Sequence, residues 1–124
     1  MSELFFKQES YKIIGACMEV HKTLGMGFLE VVYKDALELE FKRLEIPYVR
    51  EKNFELFYKG VALNRTFQVD FWVYNQINLE IKSKSMLVEE HILQTKNYCA
   101  CAKCKLGILV NFGQSSLEYK RIIL

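Results

Sequence analysis

The sequence predicts an α/β (α+β) sandwich, a central mixed sheet flanked by helices in the order ααβββαββ. Three observations carry this. Apolar residues recur at helical spacing in two successive stretches ahead of Pro47; they alternate with polar ones between Asn53 and Lys82; and a third helical stretch leads into a nearly continuous apolar run from Lys105 to Phe112.

After Ser10, read as an N-cap, Ile13, Ile14, Cys17, Met18, His21 and Leu24 fall on one helix face, and Gly25 with Gly27 stops the helix. A second helix from Phe28 to Leu44 has Leu29, Val32, Tyr33, Ala36, Leu37, Phe41 and Leu44 on its buried stripe, and Pro47 forbids its continuation. Phe54, Leu56 and Tyr58 then alternate with Asn53, Glu55 and Phe57, and Lys59-Gly60 offers a hairpin turn. The returning strand sets Phe67, Val69, Phe71 and Val73 on one face and Thr66, Gln68, Asp70, Trp72 and Tyr74 on the other. Beyond Asn75-Gln76, Ile77, Leu79 and Ile81 alternate with Asn78, Glu80 and Lys82. Val88 to Lys103 is read as a helix, with Val88, Ile92, Thr95, Cys99 and Ala102 as its core stripe. Lys105 to Phe112 suits a strand buried on both faces, and Leu117 to Ile122 forms a last short strand after the Gly113-Gln114-Ser115-Ser116 turn.

At 124 residues, with 51% hydrophobic and 14% aromatic side chains, residues 1–124 are expected to form one domain. Such a chain buries roughly two-thirds of its unfolded surface and needs no disulfide or metal staple. Disordered and collagen-like classes are thereby excluded. Met1-Ser2-Glu3-Leu4 has no basic segment leading into an apolar run, and the longest such run, Leu106 to Val110, falls far short of the ~20 residues that span a bilayer. A cytoplasmic location and no membrane partner are expected. The net charge of +2 is too small to mark a nucleic-acid binder, but its distribution is uneven. Residues 1–62 carry nine Lys/Arg against ten Asp/Glu and residues 63–124 eight against five, so a polyanion is expected to meet the C-terminal half.

The stretch from Phe67 to Lys82 is the most informative. If Asp70, Glu80 and Lys82 project from neighbouring strands on one face, two carboxylates and an ammonium converge. Oxygen ligands of this kind suit a hard cation, Mg²⁺ or Mn²⁺, which acidifies water and neutralises charge developing on a phosphodiester, while Lys82 stabilises the transition state. On spacing alone the same three residues also fit a solvated outer sheet face. Against that, Trp72 and Tyr74 are expected beside Asp70, and a covered carboxylate needs partners.

The motif Gly27-Phe-Leu-Glu30-Val-Val-Tyr33 resembles the GxxExxY protein family of the PD-(D/E)XK nuclease superfamily. Ile14 to Gly25, Val69-Asp70, Glu80-Ile81-Lys82, the His91, Gln94, Tyr98 series and Lys105 to Gly113 extend the resemblance over about residues 10–123. It implies a restriction-endonuclease-like core in which Asp70 and Glu80 bind Mg²⁺ or Mn²⁺, the carbonyl of Ile81 is a further metal ligand, and Lys82 is the catalytic lysine. In the RecB-like branch an acidic residue of the first core helix completes the metal site and a Q-x3-Y helix binds substrate. These positions correspond to Glu30 and to Gln94 with Tyr98, and His91 is placed with them as substrate-binding. Val69 stands where the superfamily motif has proline.

Read on their own residues, these positions have plainer alternatives. Glu30 sits at i,i+4 spacing from Lys34 and makes an ordinary exposed pair there. His91, Gln94 and Tyr98 fall along one stripe that also serves as the wet face of a half-buried helix. His21, alone on an apolar face, is read as a hydrogen-bonded core histidine. Cys17, Cys99, Cys101 and Cys104 imitate the iron–sulfur pattern of some RecB-like nucleases, but Cys99 and Cys101 lie about 200° apart on one helix, so they are read as core residues.

Strand parity sets a further condition. A two-residue Asn75-Gln76 hairpin sets Asp70 opposite Ile81 and puts Glu80 and Lys82 on the other face. Convergence therefore requires an odd connection, most simply Asn75-Gln76-Ile77, with Asp70 opposite Lys82 and diagonal to Glu80, or else one bulge. The function expected is divalent-metal-dependent hydrolysis of phosphodiester bonds in nucleic acid, DNA being the expected substrate, with a homo-oligomer or partner chain aiding the grip. The competing reading is a non-catalytic nucleic-acid-binding or accessory module that retains the fold.

Overall fold

A computed structural model describes residues 6–124. The N-terminal Met1-Ser2-Glu3-Leu4 segment lies outside them. The elements are α1 (Lys7–Leu24), α2 (Glu30–Arg43), β1 (Tyr48–Tyr58), β2 (Val61–Val73), β3 (Ile77–Lys82), α3 (Glu89–Ala102), β4 (Leu106–Asn111) and β5 (Glu118–Ile123). The order is the expected one, and the strands lie 1-2-3-4-5 across one sheet. β3 and β4 are parallel, joined by the α3 crossover, and the other neighbours are antiparallel. No helix among the described residues is long and apolar enough to cross a membrane.

The central strands β3 and β4 are covered on both faces. On one, Ile13, Cys17 and Val20 of α1 and Tyr33, Leu37 and Phe41 of α2 pack on Phe71, Val73, Ile77, Leu79, Ile81 and alternate residues of β4. On the other, Cys99 of α3 and the following Cys104 pack with Phe67, Val69 and Trp72, flanked by Phe54, Leu56 and Tyr98. Gly107 is what lets α3 approach β4. A Cβ there would stand 2.7 Å from Cys99 Sγ and 2.8 Å from Thr95 Cγ2. Gly107→Ala is therefore expected to lower stability by ~1–3 kcal/mol, as overpacking does in a closed seam, measured by denaturant unfolding.

Several local expectations are corrected. Ser10 is no N-cap: α1 begins a turn earlier, and the Ser10 hydroxyl, buried, accepts from Arg121 Nε on β5 at 3.2 Å. Met18, Leu29 and Leu44 are exposed, while Ala16 and Val20 are buried instead. The single-face reading of β2 breaks at Asp70, because Phe67 and Val69 join the α3 side and Phe71 and Val73 the α1/α2 side. Trp72 goes with Phe67 and Tyr74 with the α1/α2 core, so they do not form one covered face around Asp70. The cause is local to the β1–β2 pair. Arg50↔Phe71 and Lys52↔Val69 are paired, but Glu51 and Asp70 between them are not, and Glu51 has φ 54°.

The β2–β3 connection is odd, as convergence requires, but lies one residue earlier than expected. Tyr74 (φ 55°) and Asn75 (φ 57°) make the tight turn, the Gln76 N–H donates to the Val73 carbonyl at 3.1 Å, and Val73 pairs with Ile77. Ile77 is fully buried and opposes Val73, so it belongs to the strand rather than the loop. Continuing this register sets Asp70 abreast of Glu80, not of Lys82.

Candidate active site

Ladder pairing between β2 and β3 ends at Phe71↔Leu79. Just beyond, the Asp70 side chain takes over: Oδ2 accepts the Ile81 main-chain N–H at 2.8 Å. Oδ1 accepts from Lys34 Nζ at 3.2 Å, and Lys34, on α2, also donates to Glu51 Oε2 at 3.0 Å. Burial pushes the Lys34 ammonium down, but its bonds to Glu51 and Asp70 and their charges outweigh this and hold it above the ordinary lysine value. Lys34 thus ties the helix to both residues that step out of the β1–β2 ladder.

Glu80 is almost fully buried, at 3% exposure, and its Oε2 has no hydrogen-bond partner. Burial, then the Asp70 charge, push its carboxyl up to about 8, against the opposing pull of the Asp70 main-chain N–H, Lys82 and Lys34. A buried carboxylate oxygen with no partner, next to a second carboxylate, is a donor set that fits a hard divalent cation. Lys82, two residues on, donates from Nζ to Gln94 Oε1 at 3.4 Å, and Gln94 Nε2 donates to the Tyr98 hydroxyl at 3.4 Å. Burial and the charges of Glu80 and Asp70 raise the Tyr98 phenol, and its ring packs on Phe67 at 4.8 Å.

The structure thus brings Asp70, Glu80, Lys82, Gln94 and Tyr98 together, and the backbone of Ile81 lies against Asp70. Glu30 is half-buried at the first position of α2, one turn ahead of Lys34. The simple Glu30–Lys34 pair does not form, since Lys34 is engaged by Glu51 and Asp70. Among the described residues no group of three His, Cys, Asp or Glu side chains is close enough to hold a metal ion, so Glu30 does not complete a three-carboxylate set with Asp70 and Glu80. His91 is occupied elsewhere, its Nδ1 accepting the Val88 N–H at 3.1 Å and capping the start of α3. His21 is the core histidine expected, with Nε2 donating to the Gln114 carbonyl at 2.8 Å.

The tyrosine of the Gly27–Tyr33 motif is structural. Its buried hydroxyl donates to the Gly25 carbonyl at 2.6 Å and accepts the Phe28 N–H at 3.2 Å, while its ring stacks on Phe112 at 4.4 Å. It fixes the α1–α2 loop that presents Glu30. Asn111, beside Lys82 in the parallel ladder, clamps the next segment: Oδ1 accepts the Lys84 N–H at 2.8 Å and Nδ2 donates to the Lys84 carbonyl at 3.0 Å. Sequence reading overlooks Lys34 and Asn111. The signal for Asn111 is a lone amide in an apolar run, which must be hydrogen-bonded if buried. A larger hollow of about 820 Å³, lined by Lys12, Tyr11 and Arg121 among others, lies between α1 and β5 and contains none of these residues.

A profile of the PD-(D/E)XK nuclease superfamily matches residues 7–122. The chain belongs to that superfamily. Three helices on a five-stranded mixed sheet accord with the restriction-endonuclease-like fold of PD-(D/E)XK proteins. The crystal structure of SSO0001 is similar, with a TM-score of 0.59 at 20% identity over 76% of this chain and 50% of that one, a likeness of fold. The chain spans half the length of that protein. No curated protein matches the sequence. Membership implies a nuclease-fold protein of a class that typically uses divalent metal ions and acts on nucleic acid.

Proposed function

We propose that this PD-(D/E)XK protein hydrolyses phosphodiester bonds in DNA with Mg²⁺ or Mn²⁺ bound by Asp70 and Glu80. The observation that carries the reading is the partnerless Glu80 Oε2, buried beside Asp70 at the point where β2 and β3 part. The ion supplies Lewis-acid charge that polarises the phosphodiester and acidifies the attacking water. The protein's own groups do the rest. The Ile81 N–H and Lys34 fix the two Asp70 oxygens, and the Ile81 carbonyl is offered as a further ligand. Gln94 holds the Lys82 ammonium at the edge of the carboxylate pair, where it meets negative charge developing on the phosphate. Tyr98 and Gln94 present donors to the substrate backbone, and self-association or a partner chain completes the grip on a duplex.

Cleavage of linear, circular and single-stranded DNA and of RNA, each with Mg²⁺, Mn²⁺ or EDTA, tests the activity. Lys82→Ala is expected to lower kcat by roughly 10²–10³ while Mn²⁺ affinity by calorimetry stays within about twofold, the pattern of a group that acts in the transition state. Full activity in Lys82→Ala removes the catalytic lysine from the mechanism. Metal binding with no cleavage of any substrate favours the accessory module.

A further inference from the structure

At the far end of α3 from Val88, two thiols meet. The helix closes in a Schellman turn: the Cys104 N–H donates to the Cys99 carbonyl at 3.0 Å, the Lys103 N–H donates to the Ala100 carbonyl at 3.2 Å, and Lys103 takes the left-handed conformation at φ 60°. That motif juxtaposes the side chains of the first and last residues of the turn, a place where two apolar residues usually touch. Here they are Cys99 and Cys104, both buried and members of one apolar cluster. A backbone that returns on itself in this way turns the two side chains toward each other, and a disulfide between them needs Cα atoms within about 7 Å.

The two thiols differ in access. Cys99 is fully enclosed, touching Asn78 Nδ2 at 3.9 Å. Cys104 lines an open hollow of about 440 Å³ with Trp72, Asn75, Gln76, Lys103 and Lys105, large enough for a small oxidant. We propose that Cys104 and Cys99 are a peroxide-responsive dithiol, Cys104 being the attacked thiol and Cys99 its resolving partner. The neighbouring Cys99 thiol favours the thiolate at Cys104 against the effect of burial, while Cys104 and burial raise Cys99.

The chemistry balances with a hydroperoxide as oxidant. The Cys104 thiolate attacks a peroxide oxygen; the S–O bond forms, the O–O bond breaks, and the departing hydroxide takes a proton to leave as water. Cys99 sulfur then attacks the sulfenic sulfur; the S–S bond forms, the S–O bond breaks, and a second water carries away the Cys99 proton. The dithiol loses two electrons and hydrogen peroxide gains them.

The test uses the full chain carrying Cys101→Ser, which removes the exposed thiol. After a small excess of hydrogen peroxide, thiols titrated in denaturant are expected to fall from three to one, leaving Cys17. Tryptic digestion without reductant is expected to yield residues 97–103 linked to residues 104–105, a linkage lost on adding dithiothreitol. With Cys99→Ser added, dimedone is expected to trap the sulfenic acid at Cys104. Three thiols surviving peroxide, or linkage between chains instead of within one, overturns the assignment, and the Cys101→Ser measurement stands on its own if the double variant does not fold.

Discussion

Asp70→Asn and Glu80→Gln are each expected to abolish Mn²⁺ binding in calorimetry and to reduce DNA cleavage by about three orders of magnitude or more. A divalent ion stabilises the charge of a phosphodiester transition state by several kcal/mol, and ~1.4 kcal/mol is tenfold in rate. Either substitution removes a carboxyl oxygen from the pair that would ligate the ion, where one buried oxygen has no other partner. Unchanged metal affinity in both variants sinks the site.

The Glu80 carboxyl adds a pH signature. With its pKa pushed up to about 8, the metal-free folded chain holds a proton on Glu80 at neutrality that the unfolded chain, near 4.5, has lost. Metal must displace it. Binding at pH 7 is therefore expected to release close to one proton from this group, read from calorimetry in two buffers of different ionisation enthalpy. Affinity should rise nearly tenfold per pH unit up to about pH 8 and then level off. Stability runs the other way. A raised folded pKa contributes stability that is full below about pH 4.5 and is lost as pH rises through about 8, with an upper bound on the order of 5 kcal/mol. Glu80→Gln is neutral throughout, so its unfolding free energy is expected to decline less from pH 5 to 9 than that of the parent. Parallel pH profiles for the two proteins refute the buried, protonated carboxyl.

The legible part of this site is a matter of parity. Asp70, Glu80 and Lys82 converge only if an odd number of residues joins their strands, and the connection is indeed three residues long. Which three is not legible, because Tyr74, Gln76 and Ile77 all suit a strand, and only the burial of Ile77 opposite Val73 decides between them. The face switch at Asp70 is equally hidden. It depends on Glu51 taking a positive φ, and a glutamate gives no sign of that in a sequence. Helical spacing assigns Lys34 to Glu30, a pair worth a few tenths of a kcal/mol, and the partly buried pull of Asp70 and Glu51 overrides so weak a local rule. His91 carries the right polarity for a site but stands three residues after Val88, where its ring finds an orphan main-chain donor first.

Gly113→Ala is expected to be the most damaging change away from the carboxylates. A Cβ at this position would collide with the Lys84 carbonyl oxygen and stand 2.5 Å from the Lys84 nitrogen, and main chain, unlike a flexible side chain, has nowhere to yield. The segment that must move is the one Asn111 clamps through both Lys84 main-chain groups, while the Gly113 N–H itself donates to Asn111 Oδ1 at 3.1 Å. Displacing Lys84 strands the buried amide of Asn111 and shifts the chain two residues after Lys82. The overpacking and the lost bonds together are expected to lower stability by ~3 kcal/mol or more, about 10 °C in Tm for a chain of this size. In any fraction that folds, Lys82 is expected to lose its register with Gln94, so kcat falls while Mn²⁺ binding by Asp70 and Glu80 survives. A Gly113→Ala protein with parental Tm and parental kcat means that the 83–88 segment is free to shift and that Asn111 does not position the lysine.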